Sequence, residues 1–307
     1  MLSLCGAGAL QAADSYPKKP ILVIVPYPAG GVLDAQVRLL GQQLAAQLGQ
    51  SIVVEARPGA SGNIAAEHVI RAAPDGYTLL ATTTFVASNP IVDPATRWAA
   101  KDLIPVSAFS ETHSYLLVPA SSPAKTVKEF VELAKRAPKP FHVADGGPGT
   151  SITMAIELFK KAAGIQLDAV PYKGAPPALL DLANGLLDAS ILPASVAYPQ
   201  VVAGKLRALA TIGRARSPQL SDVPTFAEAG FPQAETLTWF GLHAPAATSA
   251  EIVQRLDAAV EQAVQSDEVA ARIRSMGGSV NYLNTAQFTD LLASERRRWD
   301  ALVPTKR

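Results

Sequence analysis

Pro20-Ile21-Leu22-Val23-Ile24-Val25-Pro26-Tyr27-Pro28-Ala29-Gly30-Gly31-Val32-Leu33-Asp34 is the stretch on which the fold is decided. Residues 21–25 form an unbroken, mostly β-branched apolar run, the pattern of a strand buried on both faces. The proline- and glycine-rich segment 26–31 turns the chain. Asp34 then opens a helix whose Val37, Leu40, Leu44 and Leu48 share one face and which Gly49 stops. Strand, glycine turn and helix in that order is half of a βαβ unit.

The same sequence pattern continues in both directions from Gly49. Ile52-Val53-Val54-Glu55 reads as a strand, the loop Gly59-Ala60-Ser61-Gly62-Asn63 feeds a helix to Ala73, and Tyr77–Ala81 is the next strand. Further on, strands are expected at Tyr115–Pro119, Phe141–Ala144, Leu167–Pro171, Ser190–Pro193 and Leu206–Thr211. Helices are expected over Val127–Arg136 and Ile152–Ala163, and the tail past Leu242 is expected to be mainly helical: Ser249–Ser266, Glu268–Met276 and Ala286–Leu302. Alternation of this kind defines an α/β chain with right-handed parallel crossovers.

Composition limits what such a chain does. Its 307 residues suggest two domains. Lys+Arg 27 against Asp+Glu 26 leaves a net charge of +1, too little field to favour nucleic acid or an anionic membrane. Charged residues make up 17% and hydrophobic ones 49%, which argues against long disordered stretches. No apolar run is long enough to span a bilayer, so the chain is not expected to be membrane-embedded. Cys5 is the single cysteine, which removes intrachain disulfides and cysteine-based zinc sites. Leu2–Leu10, followed by Gln11-Ala12-Ala13, resembles the end of a secretory signal cleaved after Ala13, which points to the periplasm.

Enzyme chemistry finds few candidates. His68, His113, His142 and His243 are scattered without metal-ligand spacing, and each is best read as a packing or surface residue. Neither a Walker loop nor a Gly-x-Gly-x-x-Gly fingerprint occurs, and Gly59-Ala60-Ser61-Gly62 lacks the spacing of a nucleophile elbow. No cofactor is implied. What recurs is a glycine-rich turn between a strand and a helix: Ala29-Gly30-Gly31, and Gly146-Gly147-Pro148-Gly149-Thr150-Ser151. Glycine admits close backbone approach, and the free N–H groups of the following helix favour an anion such as a carboxylate. Either turn alone is an ordinary helix cap; two of them, in separate blocks, suggest a binding cleft.

The motif set resembles the Bug family, periplasmic substrate-binding proteins of tripartite tricarboxylate transporters. The resemblance is carried by Pro26-Tyr27-Pro28-Ala29-Gly30-Gly31 with Asp34, by Val54–Asn63, by Ala72–Leu79, by Gly149-Thr150-Ser151, by Val170-Pro171-Tyr172-Lys173-Gly174, by Gly204–Leu209, by Asp222–Gly230 and by Trp239-Phe240-Gly241-Leu242. It implies a two-lobed, type II periplasmic-binding-protein-like fold with a hinge. One lobe would hold residues 14–118 and 231–307, the other 119–230. It also implies a monomer that captures a small organic carboxylate for membrane transport subunits or for a sensor kinase. Carried over residue by residue, Ala29, Gly30 and Gly31 would face the ligand from one lobe and Gly149, Thr150 and Ser151 from the other. Tyr27 and Tyr172 would stand at the wall, Thr83 and Thr84 would add polar contacts, and Ser195 would lie at the far end. Trp239 is read either as a second wall or as lobe packing, Lys173 as a solvated loop residue before a partner for a distal acid, and Asp34 is expected to cap its helix or to order the first loop. Val32-Leu33, Ala56, Thr153 and Leu192-Pro193 depart from the family's usual residues. The last pair makes the distal pocket less polar, so the expected ligand is an organic acid without a free amine, aromatic or of medium chain length.

Overall fold

The computed structural model describes residues 16–302 apart from 148 and 173. The signal-like segment and Lys173 therefore lie outside the described residues. The chain runs β1 (Ile21–Val25), α1 (Val32–Leu48), β2 (Ile52–Ala56), α2 (Asn63–Ile70), β3 (Thr78–Thr82), α3 (Phe85–Val92) and β4 (Leu103–Thr112). It continues through β5 (Ser114–Pro119), α4 (Val127–Arg136), β6 (Phe141–Asp145), α5 (Ser151–Ala163), β7 (Leu167–Pro171), α6 (Ala175–Ala183), β8 (Ala189–Pro193), α7 (Ala194–Val202) and β9 (Leu206–Ile212). It closes with β10 (Thr238–Pro245), α8 (Ala250–Val264), α9 (Asp267–Ser275), β11 (Gly278–Leu283) and α10 (Thr285–Leu302).

These strands form two sheets. One is six-stranded in the order β11-β4-β10-β3-β1-β2, the other five-stranded in the order β7-β6-β8-β5-β9. In the first, β1 pairs in parallel with β2 and β3, while β10 and β4 continue it antiparallel. In the second, β6 is parallel to β7 and β8, and β5 runs antiparallel to β8 and β9. Both sheets are therefore mixed, parallel only in the part built from βαβ units.

The period-two geometry of a strand explains why β1 has no polar face. Ile21, Val23 and Val25 point into the core under α1 and α8, whereas Leu22 and Ile24 point into the core under α2, α3 and α10. In the second sheet Leu116 and Val118 face α4 and α5, while Tyr115 and Leu117 face α6 and α7. Each lobe is thus a sheet covered by helices on both faces. As expected, Gly49 ends α1 in the left-handed region at φ 66°, where only glycine is free of Cβ strain.

The chain passes between lobes twice. β4 belongs to the first sheet and β5 to the second, so the first passage is the single residue His113. Its N–H donates to Gly277 O (3.3 Å) and its carbonyl accepts from Ala194 N–H (2.9 Å). On the return, Phe226, Phe231 and Ala234 still pack in the second lobe, and Leu237 is already in the first. The passages therefore lie near residues 113 and 235 rather than 118 and 230. The shift arises because the Tyr115–Val118 strand pairs between β8 and β9 instead of closing the first sheet.

Candidate functional site

Ligands in open α/β sheets sit outside the carboxyl ends of the strands. The parallel-paired strands lead there into helices, and four of these turns carry most of the residues singled out from the sequence: β1 through residues 26–31 into α1, β3 through Thr83-Thr84 into α3, β6 through residues 146–150 into α5, and β8 straight into α7. Ten of the eleven residues singled out from the sequence lie on these four turns, and Tyr172 follows β7.

On the first loop Tyr27 is half-buried against the core of its lobe, and its hydroxyl lies 3.0 Å from Thr83 Oγ1, so β1 and β3 are tied together at their ends. Burial raises the Tyr27 pKa above the ordinary tyrosine value, and it stays neutral. Gly30 N–H donates to Asp34 Oδ2 (2.9 Å) and Gly31 N–H to Pro28 O (3.3 Å), so two of the donors expected to meet a ligand are turned inward. The available donors are Ala29 N–H and the first-turn N–H groups of α1 at Val32, Leu33 and Asp34, which have no partner among the described residues.

Asp34 organises this arrangement, as expected from its position. It is buried, and its oxygens accept from Arg38 Nε and Nη2, both at 3.0 Å. The Arg38 guanidinium, helped by the Gly30 amide, holds the Asp34 carboxyl below the usual carboxylate range. The pair neutralises the one negative charge in the loop, which would otherwise repel an incoming anion.

On the second lobe Thr150 caps α5: its Oγ1 accepts from Thr153 N–H (3.2 Å) and donates to Gly147 O (3.0 Å). Thr153 Oγ1 donates to Asp145 Oδ1 (2.5 Å). The Thr150 hydroxyl thus serves the loop, leaving the backbone N–H groups of Ser151 and Ile152 as the donors that α5 presents. Ser151 Oγ accepts from Thr238 Oγ1 (2.8 Å), a bond from one lobe to the other, and keeps its own proton free to donate.

Gly149 is one of the points where the lobes touch. Ser88 Oγ, on α3, donates to Gly149 O (2.7 Å). Gly149 has φ +79°, and a Cβ there would lie 2.5 Å from Asn89 Oδ1 and 2.9 Å from Ser88 Oγ. Asn89 has little room to yield, because its Nδ2 donates to Ser61 O (2.9 Å) and Asn63 Oδ1 (3.0 Å). No sequence signal pointed to Ser88 or Asn89; their partners lie 61 and 28 residues away.

The remaining expectations divide. Thr83 and Thr84 are buried at the end of β3, and Thr84 O accepts the N–H groups of Ala87 and Ser88. Tyr172 follows β7 with its N–H on Asp145 O (3.1 Å), but its hydroxyl donates to Asp181 (2.6 Å), and that bond raises its pKa. Ser195 opens α7 beside Gly277 at the lobe seam, close to the first passage between lobes. Trp239 is fully buried in an edge-to-face pair with Phe288 (4.9 Å), so it is packing and not a ligand wall. The histidines are separated: His68 Nδ1 lies 3.1 Å from Arg57 Nη1, His142 is 3.5 Å from Asp168, and His243 Nδ1 is 2.9 Å from Thr82 Oγ1. No cluster of three potential metal ligands occurs among the described residues.

Two α/β sheets, each covered by helices and joined by two passages of the chain, define a periplasmic-binding-protein architecture. The family model of the tripartite tricarboxylate transporter family receptor (TctC) matches residues 36–306, and the chain belongs to that family of solute-binding receptors. Protein BugT of Bordetella pertussis is 31% identical over 98% of this chain and 94% of its own. A solved R. palustris protein with adipate is 32% identical, covers 94% of this chain and 97% of its own, and superposes with a TM-score of 0.82. MatC of Rhodopseudomonas palustris, solved with malate, is 30% identical over 94% of this chain and 100% of its own, with a TM-score of 0.80.

Proposed function

We propose that this protein captures a small organic acid in the cleft between its lobes, holding one carboxylate between the N-termini of α1 and α5, and delivers it in the periplasm to the membrane subunits of a tripartite transporter. The observation that carries the reading is that the first turns of α1 and α5, one in each lobe, carry N–H groups without partners among the described residues, together with the Arg38-neutralised Asp34 in one of them. A carboxylate at a helix N-terminus gains about 0.3–1 kcal/mol from the dipole, up to about 2 where partly buried, before its hydrogen bonds are counted. Donors from both lobes make closure and binding the same event.

The contacts around the cleft support an acid that lacks a free amine. A carboxylate is the strongest partner for an ammonium group, and those at hand are engaged: Asp34 by Arg38 and Gly30, Asp145 by Thr153, Asp181 by Tyr172. Leu192-Pro193 at the end of β8 adds no polar group. Adipate and malate in related proteins agree with the headgroup, and the aromatic or medium-chain body is the finer part of the proposal. No helix among the described residues is long and apolar enough to cross a membrane, in keeping with a receptor that meets its transporter from outside.

The test is a thermal-shift panel of aliphatic dicarboxylates, aromatic acids and amino acids, with native mass spectrometry of the freshly purified chain. Acids without an amine are expected to raise the melting temperature by several degrees and to be recovered unchanged. A panel in which only amino acids bind would reject the ligand class. Conversion of a bound compound would reject the receptor reading itself.

A further inference from the structure

A cavity of about 320 Å³ opens on the first lobe between α3, α10, β4 and β10, and none of its walls is a residue of the cleft. Its volume lies at the small end of the range of small-molecule sites, roughly 300–1,000 Å³. Apolar walls come from Trp98, Leu103 and Leu292, and the Trp98 ring is fixed by its Nε1–H bond to Asn63 Oδ1 (2.9 Å). The polar groups are Lys101, Arg296, Thr289 and His243, and no carboxylate lines it. Arg296 Nε donates to Leu292 O (3.3 Å), and the terminal guanidinium nitrogens have no partner among the described residues.

His243 is 3% exposed. Burial, reinforced by the Arg296 charge, lowers its pKa to about 3, so the ring is neutral. Its Nδ1 lies 2.9 Å from Thr82 Oγ1; with the threonine hydroxyl as donor, the ring proton stays on Nε2, which has no partner among the described residues. Lys101 is exposed and Arg296 half-buried, and with the imidazole donor over an apolar wall they give the cavity a positive potential that favours an acceptor of negative charge.

We propose that this cavity is a second ligand site, taking a small aromatic or short aliphatic monocarboxylate whose head lies between Lys101 and Arg296 and whose apolar body packs on Trp98, Leu103 and Leu292. A second carboxylate on the same molecule would have to face that apolar wall, which disfavours dianions. The site is independent of the cleft reading, because it shares no residue with it.

Fluorine NMR titration of the full chain with para-fluorobenzoate tests it. The expected result is a binding component that is lost in Thr289→Trp, which blocks the mouth from an exposed position, and weakened about tenfold or more in Arg296→Glu and Lys101→Glu. The same component is retained in Ser151→Ala, which alters the cleft from α5 in the other lobe and touches no wall of this cavity. Thr289→Trp is the variant least able to disturb folding. Identical titrations of wild type and Thr289→Trp, or loss of the component in Ser151→Ala alone, would overturn the proposal.

Discussion

Replacing Gly149 with alanine separates the stability of the lobes from their ability to close. The left-handed backbone at φ +79° costs an alanine about 1–2 kcal/mol, in whatever arrangement the lobes adopt. The new Cβ would also sit 2.5 Å from Asn89 Oδ1 and 2.9 Å from Ser88 Oγ, with Asn89 clamped by its two Nδ2 bonds. Relieving overlap of this size against atoms that yield little costs about 1–3 kcal/mol. That second cost falls only on the closed form, since separating the lobes removes it. Melting temperature is therefore expected to fall by about 2–8 °C, from the backbone cost alone. Affinity for the acid selected by the thermal-shift panel, measured by isothermal titration calorimetry, is expected to drop about fivefold to a hundredfold. Small-angle scattering of the variant with ligand should give a larger radius of gyration than the wild type. A variant that melts lower yet binds with wild-type affinity would refute the link between this contact and closure.

Further outcomes follow from the same geometry. Ser88→Ala removes the bond to Gly149 O and is expected to weaken binding about two- to tenfold with little change in melting temperature, by the same calorimetry. Asp34→Ala releases both Gly30 and Arg38, and is expected to cost about 1–3 kcal/mol in urea unfolding and to weaken binding as the loop loses its order. The stability–pH profile contains two opposed contributions. His243 binds fewer protons folded (about 3) than unfolded (6.5), so stability is lost as pH falls below 6.5, by about 2 kcal/mol at pH 5, and His243→Gln flattens that limb. Glu295, buried beside Arg298, is pushed up to about 7 by desolvation, so it binds more protons folded than unfolded. Its contribution is complete below 4.5 and lost as pH rises through 7, and Glu295→Gln is expected to stabilise the protein by about 3 kcal/mol at pH 8. Denaturant titrations at pH 5 and pH 8 check both variants, and a profile unchanged by either would contradict the assignment.

The parts of the fold legible in the sequence are those whose signal is local. β1, β6, β7, β8 and β9 announce themselves as short apolar runs, and α1 and α5 end at the glycines expected of them. What stayed hidden is non-local or disguised by proline. β4 carries Pro105 in the interior of its sheet, tolerated because its pairing with β10 slips between Leu242 and His243. α3 and α7 contain Pro90 and Pro199, and α6 carries Pro176-Pro177 in its first turn, and none of the three was expected from the sequence. β11 was absorbed into an expected helical tail because it finds its partner, β4, far away in the chain. At the site, the strand-end loops and the role of Asp34 were readable from position. The inward-turned amides of Gly30 and Gly31, the Tyr172–Asp181 bond and the Ser88–Gly149 contact were not, because each depends on where a partner lands in space.

A crystal structure of the acid-bound protein is the most direct measurement. The account predicts electron density for a carboxylate within hydrogen-bond reach of both the α1 first turn with Ala29 and the Ser151–Ile152 amides of α5. Density for that group held by one lobe only, or outside the space between them, would contradict it.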